Sequence, residues 1–170
     1  LRTADSPRFI SYYWEREEVG EEWEFLQSST NDTTLFAGRQ EIVHWGQGAG
    51  DLDRYANLGK ASLQGWEAWG KKGIVVQLMS DLPVTTYSGE IFDNNCAVVW
   101  VKDESLLPAV WCFCSSPRFN EEVRKLDQKM NVTNLTLLKV PFDLDHWQEV
   151  AEEKYSDGLP APYSDDPTQW

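Results

Sequence analysis

Short apolar runs separated by polar stretches predict strands in the first two-thirds of the chain. Aromatic and β-branched residues are concentrated at residues 8–17, 41–45, 73–79, 82–92 and 95–102, as is typical of strands. The polar stretch 28–34 predicts a loop, and the glycine-rich stretch 46–65 predicts a long connection with a helical turn at residues 52–57. A break is expected at Ser88 and Gly89. Because short connections join the last three strands, we expect a mostly antiparallel sheet.

After residue 102 the spacing of the apolar residues becomes that of helices. The first predicted helix has an apolar stripe made of Leu106, Leu107, Val110, Trp111 and Cys114. Together with the strands, this pattern predicts an α+β (mixed α/β) fold, in which helices pack on a twisted, mostly antiparallel sheet.

A second helix is predicted to begin after Ser116, which we expect to cap its N-terminus, with Pro117 at the first helical position. Its buried face is expected to carry Phe119, Val123, Leu126 and Met130. The stretch NVTN at residues 131–134 is expected to end this helix. The apolar stretch 135–142 is expected to return to the core, with Pro141 at an edge or an exit.

The composition predicts one folded domain. The chain has 170 residues, is 41% hydrophobic and contains nine Trp, so it is expected to build a sizeable core. We expect a single domain over residues 1–147, followed at 148–170 by an acidic, proline-rich tail or linker. No apolar run approaches the roughly 20 residues that cross a membrane. We therefore expect no membrane partner.

Acidic side chains outnumber basic ones, and the excess lies towards both ends. The net charge is −13. Residues 1–65 hold 6 basic and 11 acidic side chains, residues 66–140 hold 8 and 9, and residues 141–170 hold 1 and 8. Charges act over ~8 Å at physiological salt. A local basic face in the middle segment is therefore compatible with phosphate binding, at lower affinity than a uniformly basic domain would have.

Few patterns in the chain indicate catalysis or metal binding. Asp127 and Lys129 have the Asp-x-Lys spacing of a nuclease metal site, but such a site needs a strand and a second carboxylate, whereas this stretch is predicted to be helical. The odd number of cysteines argues against a disulfide framework, and we expect buried, reduced thiols. We therefore expect no catalytic residue, no metal and no cofactor in this chain.

The segment WEAWGKKG at residues 66–73 combines aromatic and cationic side chains at a turn. Trp69, Lys71 and Lys72 are suited to stacking and to phosphate contact. The alternative is that the tryptophans belong to the core and that the turn is an ordinary exposed hairpin.

Four longer stretches carry a resemblance to a known family. They are SGEIFDNN, WCFCSSPRFN, DQKMNVTN and KVPFD. Residues 66–147 resemble the C-terminal region of large type II adenine-specific DNA methyltransferases, including fused restriction–methylation enzymes and BREX-type phage-defence methyltransferases. In that family this region is similar to a target recognition domain, akin to type I specificity subunits. The methyl-donor and Asn-Pro-Pro-Tyr motifs of the family are not found in this sequence.

The resemblance implies a function in sequence-specific recognition of duplex DNA, as part of a larger N6-adenine methyltransferase or restriction–modification enzyme in the cytoplasm. S-adenosylmethionine would bind to the catalytic domain of the same parent chain, which would be the second partner besides double-stranded DNA. The DNA-binding candidates are Trp69, Lys71, Lys72, Asn94, Asn95, Arg124, Lys125, Lys129, Asn131, Thr133 and Asn134. Asn is also common in turns, so turn formation is the alternative for the four asparagines.

Two other functions remain open. An acidic protein-interaction domain that docks another subunit of a defence complex would agree with the net charge. A nuclease fragment acting through Asp127 and Lys129 would require Mg²⁺.

Overall fold

The computed structural model describes residues 1–166 and residue 168, and its fold is of the α+β class. The strands are β1 (Arg2–Thr3), β2 (Ile10–Tyr12), β3 (Trp23–Gln27), β4 (Glu41–His44), β5 (Ala61–Ser62), β6 (Gly73–Gln77), β7 (Val84–Tyr87), β8 (Ile91–Phe92) and β9 (Cys96–Trp100). The α-helices are α1 (Ser6–Phe9), α2 (Asp51–Asn57), α3 (Leu107–Cys114), α4 (Pro117–Leu126), α5 (Asn134–Leu137) and α6 (Leu144–Lys154). Most strand pairs are antiparallel, as predicted, and β3 with β8 is parallel.

The C-terminal half is a three-stranded antiparallel sheet in the order β7-β6-β9, covered on one face by helices. Side chains alternate between the two faces of a strand, so Ile74 and Val76 lie in the core beneath α3, α4 and α6. Val75 points to the opposite face, where it packs with Tyr87 and Cys96. Because β6 is buried on both faces, three successive apolar residues occupy positions 74–76.

The N-terminal half forms a four-stranded sheet in the order β2-β4-β3-β8. Leu26, Val43 and Leu52 are buried in its core. The strand expected at residues 8–17 is much shorter, since β2 is preceded by α1 and followed by a 3₁₀-helix at Tyr13–Glu15. β8 comes from the second half of the chain and pairs with β3, which joins the two halves.

The first turn of α4 differs in one detail from the prediction. Ser116 occupies the N-cap position and Pro117 begins the helix, as expected. The Ser116 hydroxyl does not cap α4, because it donates a hydrogen bond to the carbonyl oxygen of Phe113 at 2.7 Å. α4 is instead held by its buried face, on which Phe119 packs edge-on against Phe113 with ring centroids 5.4 Å apart.

The predicted end of α4 is wrong. Phe119 and Val123 are buried as expected, but α4 ends at Leu126, which is 49% exposed, and Met130 lies beyond it in solvent. The chain leaves the helix because Val132 donates its backbone N–H to Leu78 at 2.9 Å, which draws this segment towards the end of β6. If the helix continued to residue 130, the backbone N–H of Val132 would not reach the carbonyl of Leu78.

The stretch 135–142 returns to the core only in part: Leu137 and Val140 pack against the core, and the ring of Phe142 lies 5.3 Å from that of Phe113. Thr133 caps α5 by accepting a hydrogen bond from the backbone N–H of Thr136 at 3.3 Å. Leu135 and Leu138, on this short helix and just after it, are exposed. The stretch therefore lies on the surface with some of its apolar side chains against the core and others in solvent.

The boundary expected at residue 148 lies inside α6. This helix begins at Leu144, capped by Asp143, and continues to Lys154. Trp147 and Ala151 are buried in the core with α3. The indole N–H of Trp111 donates a hydrogen bond to the hydroxyl of Tyr155 at 3.2 Å. Residues 148–155 thus belong to the helical layer of the domain.

Candidate nucleic-acid interface

The fold gathers five polar candidates at one end of the three-stranded sheet. Leu78, just beyond β6, donates its N–H to the carbonyl of Asn95 at 3.1 Å and accepts from the N–H of Val132 at 2.9 Å. These two bonds bring residues 94–95 beside residues 131–134. The exposed residues that meet there are Asn94, Asn95, Asn131, Thr133 and Asn134.

Three of these asparagines offer free amide groups. The backbone N–H of Asn95 donates to the carboxylate of Asp93 at 2.6 Å, and that of Asn94 donates to the carbonyl of Leu1 at 3.1 Å. Within residues 1–166, the side-chain amides of Asn94, Asn95 and Asn134 form no hydrogen bond with the protein. The backbone of this end is therefore fixed while its amides face solvent. Thr133 contributes instead to the cap of α5.

A groove of about 420 Å³ extends from this polar end along β9. Asn94 and Asn134 line one end of it, and Trp100 lines the other. Its walls also include Arg2, Ser62, Gln64, Glu67, Asp93, Cys96 and Val98. Since β9 covers five residues, the groove follows about 14 Å of strand.

Lys71 and Lys72 lie at the far end of the sheet from the asparagines, because they precede the first residue of β6. The ammonium group of Lys71 lies 3.6 Å from the centroid of the Trp100 ring, a cation–π contact. Lys72 forms a salt bridge of 2.9 Å with Glu104, and both side chains are exposed. The structure thus separates these two cations from the polar end, at opposite ends of the groove and sheet.

Two glycines hold the turn that carries these lysines. Gly70 donates its backbone N–H to the carbonyl of Gly89 at 2.9 Å. A Cβ atom at Gly89 would lie 2.7 Å from the Cα of Gly70, and Gly89 has φ of +114°. Only glycine at position 89 allows this close contact of the two backbones and this backbone conformation. The break expected at Ser88 and Gly89 therefore also holds the turn that carries Lys71 and Lys72 in place.

Trp69 is packed into the protein. Its ring meets that of Trp45 edge-on, with centroids 5.5 Å apart, and it contacts the N-terminal core. Its indole N–H is buried and has no hydrogen-bond partner among the described residues. The neighbouring Trp66 is the exposed member of this segment. The alternative considered for residues 66–73, in which both tryptophans belong to the core, therefore holds for the partly buried Trp69 and not for Trp66.

The basic candidates of α4 are partly engaged within the chain. The guanidinium group of Arg124 donates to the carbonyl oxygens of Ser80 and Lys129, which ties the end of α4 to the loop after β6. Lys125 forms a salt bridge of 2.8 Å with Glu122 one turn earlier. The side chain of Lys129 is exposed, two residues before Asn131. Lys129 is therefore the basic candidate nearest in sequence to the polar end.

Asp127 lies just after α4 as a loop carboxylate. It accepts hydrogen bonds from the backbone N–H of Lys129 at 3.0 Å and from the hydroxyl of Thr136 at 3.2 Å. The backbone bond to Lys129 is the main cause of a lowered pKa for this carboxyl. In the described part of the chain, no group of three or more His, Cys, Asp or Glu is placed to hold a metal ion.

The three cysteines are buried and free, as expected from their number and sequence surroundings. Burial raises the pKa of Cys114 to about 12, and burial, helped by Asp93, also raises the pKa of Cys96. The Cys96 thiol donates to the Asp93 carboxylate at 3.6 Å. These thiols are protonated at neutral pH and have a packing role.

Sequence reasoning missed the contribution of β9 to the groove. Cys96, Val98 and Trp100 alternate along an apolar strand, and alternation alone places them on one face. The sequence does not show that this face borders a groove, because the opposite wall comes from Arg2 and Ser62, far away along the chain.

Comparison with known proteins does not assign the chain to a family. No family model matches it, and no curated protein matches it significantly. Within the described residues, no helix has both the length and the apolar character needed to cross a membrane.

Proposed function

We propose that this chain is the DNA recognition domain of a larger, cytoplasmic N6-adenine methyltransferase or restriction–modification enzyme. Its role is to read the sequence of duplex DNA, while the catalytic domain of the parent binds S-adenosylmethionine and transfers the methyl group. The proposal combines the sequence resemblance with the geometry of the polar end of the sheet. Alone, the chain is expected to bind no S-adenosylmethionine, which calorimetric titration measures directly.

The observation that carries the proposal is the set of outward-facing amides gathered from two distant segments. Asn pairs with adenine in the major groove, where its amide both donates to N7 and accepts from the N6 amino group. Asn94, Asn95 and Asn134 have solvent-facing amides on a backbone fixed by the bonds around Leu78. A rigid backbone lowers the entropy that such contacts cost.

Electrostatics limits the affinity of this surface. The polar end has the cation of Lys129, but Asp93 and Asp127 lie in the same region and the chain as a whole carries −13. Phosphate contacts therefore contribute little, and binding by the chain alone is expected to be weak and to depend only modestly on salt. Base contacts should account for a large share of any discrimination between sequences.

The proposal is tested by selecting preferred sites from a randomised duplex pool at low salt and then measuring affinity across a salt series. Asn134→Ala is expected to relax the preferred site at one position, at a cost of about 1–3 kcal/mol for the matching base. Lys129→Ala should weaken all sequences alike and reduce the salt slope by about one. Lys154→Ala, which removes the same charge at the end of α6, is the matched control.

Two results would contradict the proposal. One is a selection that enriches no sequence. The other is a set of variants in which Lys129→Ala and Lys154→Ala behave identically and Asn134→Ala keeps the preferred site. The double variant K71A/K72A tests whether DNA extends to the other end of the sheet. An unchanged affinity and salt slope would confine the interface to the polar end.

A second candidate function is docking of another subunit of a defence complex, and one observation favours it. Large apolar side chains are exposed from the end of α4 to the residues before α6, namely Leu126, Met130, Leu135, Leu138 and Phe142. Exposed apolar side chains in one region are typical of protein interfaces. A partner with a basic surface would match the acidic chain. If L135S/L138S in the parent protein abolishes its assembly with another subunit of the complex and leaves DNA selection intact, this segment docks protein.

A further inference from the structure

The three-stranded sheet has two edges, β7 and β9. In an antiparallel pair, successive residues direct their backbone N–H and C=O groups alternately towards the partner and away from it. The register of β6 with β9, and the bond from Leu78 N–H to the Asn95 carbonyl, direct the groups of Ala97 and Val99 towards β6. The outward groups are therefore those of Cys96, Val98 and Trp100.

The β7 edge is covered by the chain itself. Val84 accepts from the N–H of Thr34 at 3.1 Å and donates to the hydroxyl of Thr33 at 3.3 Å. Thr86 donates its N–H to the carbonyl of Leu35 at 3.1 Å. Residues 33–35, together with Arg39, which donates to the Thr86 carbonyl at 3.1 Å, thus satisfy the outward groups of β7. One edge of the sheet is therefore protected by the domain itself.

The β9 edge is open. No described residue forms a hydrogen bond with the outward backbone groups of Val98 and Trp100. The strand has the sequence CAVVW, with neither a charged residue nor a proline, and those are the residues that usually prevent an edge from pairing. The groove of about 420 Å³ lies beside the strand, and Arg2 and Ser62 are among the residues of its other wall.

We propose that the open edge of β9 binds an extended peptide segment of a partner protein, which adds to the sheet as a fourth strand and carries basic side chains. A row of alternating N–H donors and C=O acceptors is matched by another extended backbone. A duplex DNA surface presents no such row. The peptide would lie about 4.8 Å from β9 in the plane of the sheet, beside the groove.

Charge selects a basic segment over a second copy of this chain. The groove lining contains the carboxylates of Glu67 and Asp93 and the cation of Arg2, and the ammonium of Lys71 lies against Trp100 at one end. The acidic excess that favours a basic segment is therefore that of the chain as a whole, −13. Two copies paired edge to edge would each carry −13, so that like charges oppose dimerisation. A basic peptide is instead attracted by the negative charge of the chain. This inference does not rest on DNA recognition, since it uses the backbone of β9 and not the amides at the end of the sheet.

The test uses the 170-residue chain and a capped peptide, Lys-Thr-Val-Thr-Val-Thr-Lys. Amide hydrogen exchange is followed by NMR with and without the peptide. Saturating peptide is expected to slow exchange of the Val98 and Trp100 amides about tenfold or more, because these amides become hydrogen-bonded. The amides of Ala97 and Val99 already bond to β6 and should change little. A peptide with Glu in place of both Lys should bind more weakly, with a difference that shrinks as salt is added.

Val98→Pro is the decisive variant. It removes an outward N–H and places a ring on the open edge, where proline is tolerated. It should keep the fold and abolish peptide binding. Val99→Pro is the matched control, because it removes an N–H that bonds to β6 and should unfold the sheet. If Val98→Pro also unfolds the chain, Val98→Lys replaces it, since a charge in the groove should repel the basic peptide.

Three results would overturn the inference. The peptide could leave the exchange of the Val98 and Trp100 amides unchanged. A folded Val98→Pro chain could bind the peptide as well as the wild type does. The Val98 amide could also become protected without peptide as protein concentration rises, with a dimer in sedimentation. That last result would assign the edge to a second copy.

Discussion

A buried ion pair, Arg39 with Glu90, is expected to be the most sensitive polar contact in the fold. The Nε of Arg39 lies 2.7 Å from Oε1 of Glu90, and the two side chains are 1% and 17% exposed. Arg39 also donates to the carbonyl of Thr86 at 3.1 Å and to the hydroxyl of Ser88 at 3.0 Å. The pair therefore anchors the turn that contains Gly89, against which the lysine turn packs.

Glu90→Gln keeps the shape of the side chain and removes its charge. Removing one partner of a buried pair costs ~3–5 kcal/mol because the other charge stays buried without compensation. Glu90 is partly exposed and Arg39 keeps two other acceptors, so we expect about 3 kcal/mol. At 2–4 °C per kcal/mol for a chain of this length, the melting temperature should fall by about 6–12 °C.

The assay is urea unfolding at 25 °C followed by tryptophan fluorescence, supported by a thermal melt. Glu104→Gln is the matched control, since its partner is Lys72 and both side chains are 60% exposed. Exposed pairs contribute ~0–1 kcal/mol. If the free energies of unfolding of the two variants agree within about 0.5 kcal/mol, the burial argument is refuted. The double variant R39M/E90L should recover most of the loss, because no charge is then left buried.

Three further outcomes are expected. Val123→Ala should cost about 2–3 kcal/mol because the side chain is fully buried, while Leu126→Ala should cost under about 1 kcal/mol; equal losses in urea unfolding would contradict the observed end of α4. Gly89→Ala should destabilise the fold by about 1–3 kcal/mol, since its Cβ would lie 2.7 Å from the Cα of Gly70 at a φ of +114°; a melting temperature equal to that of the wild type would show that the turn adjusts. Because burial raises the pKa of Cys114 to about 12, its thiolate is scarce at pH 8 and alkylation by iodoacetamide should be slow until the chain is unfolded; rapid alkylation of the native chain, detected by mass spectrometry, would oppose this.

The sequence by itself determined the local elements. β6, β9 and α3 form where apolar runs or a helical stripe predict them. The spacing of the buried side chains favours a strand or a helix in each segment, whichever neighbour the segment packs against. The break at Ser88 and Gly89 was also predictable, since glycine alone tolerates its backbone conformation. The α+β class follows from the order of these elements.

Tertiary contacts decided where α4 ends and what the polar residues do. A helical stripe continues through Leu126 and Met130, but the bond from the Val132 N–H to the Leu78 carbonyl and the contacts of Arg124 favour an earlier exit. Hydrogen bonds between residues distant along the chain leave no periodic signal in the sequence.

The groove and the two unequal sheet edges were decided in the same way. β7 and β9 both consist of uncharged, strand-forming residues, VTTY and CAVVW. Their outer edges differ because residues 33–35 cover that of β7 and no described segment pairs with that of β9. The asparagines at residues 94–95 and 131–134 meet because Leu78 bonds to both segments. The periodicity of the sequence shows which face of a segment is buried. Whether another segment covers the edge of a strand depends on the path of the whole chain.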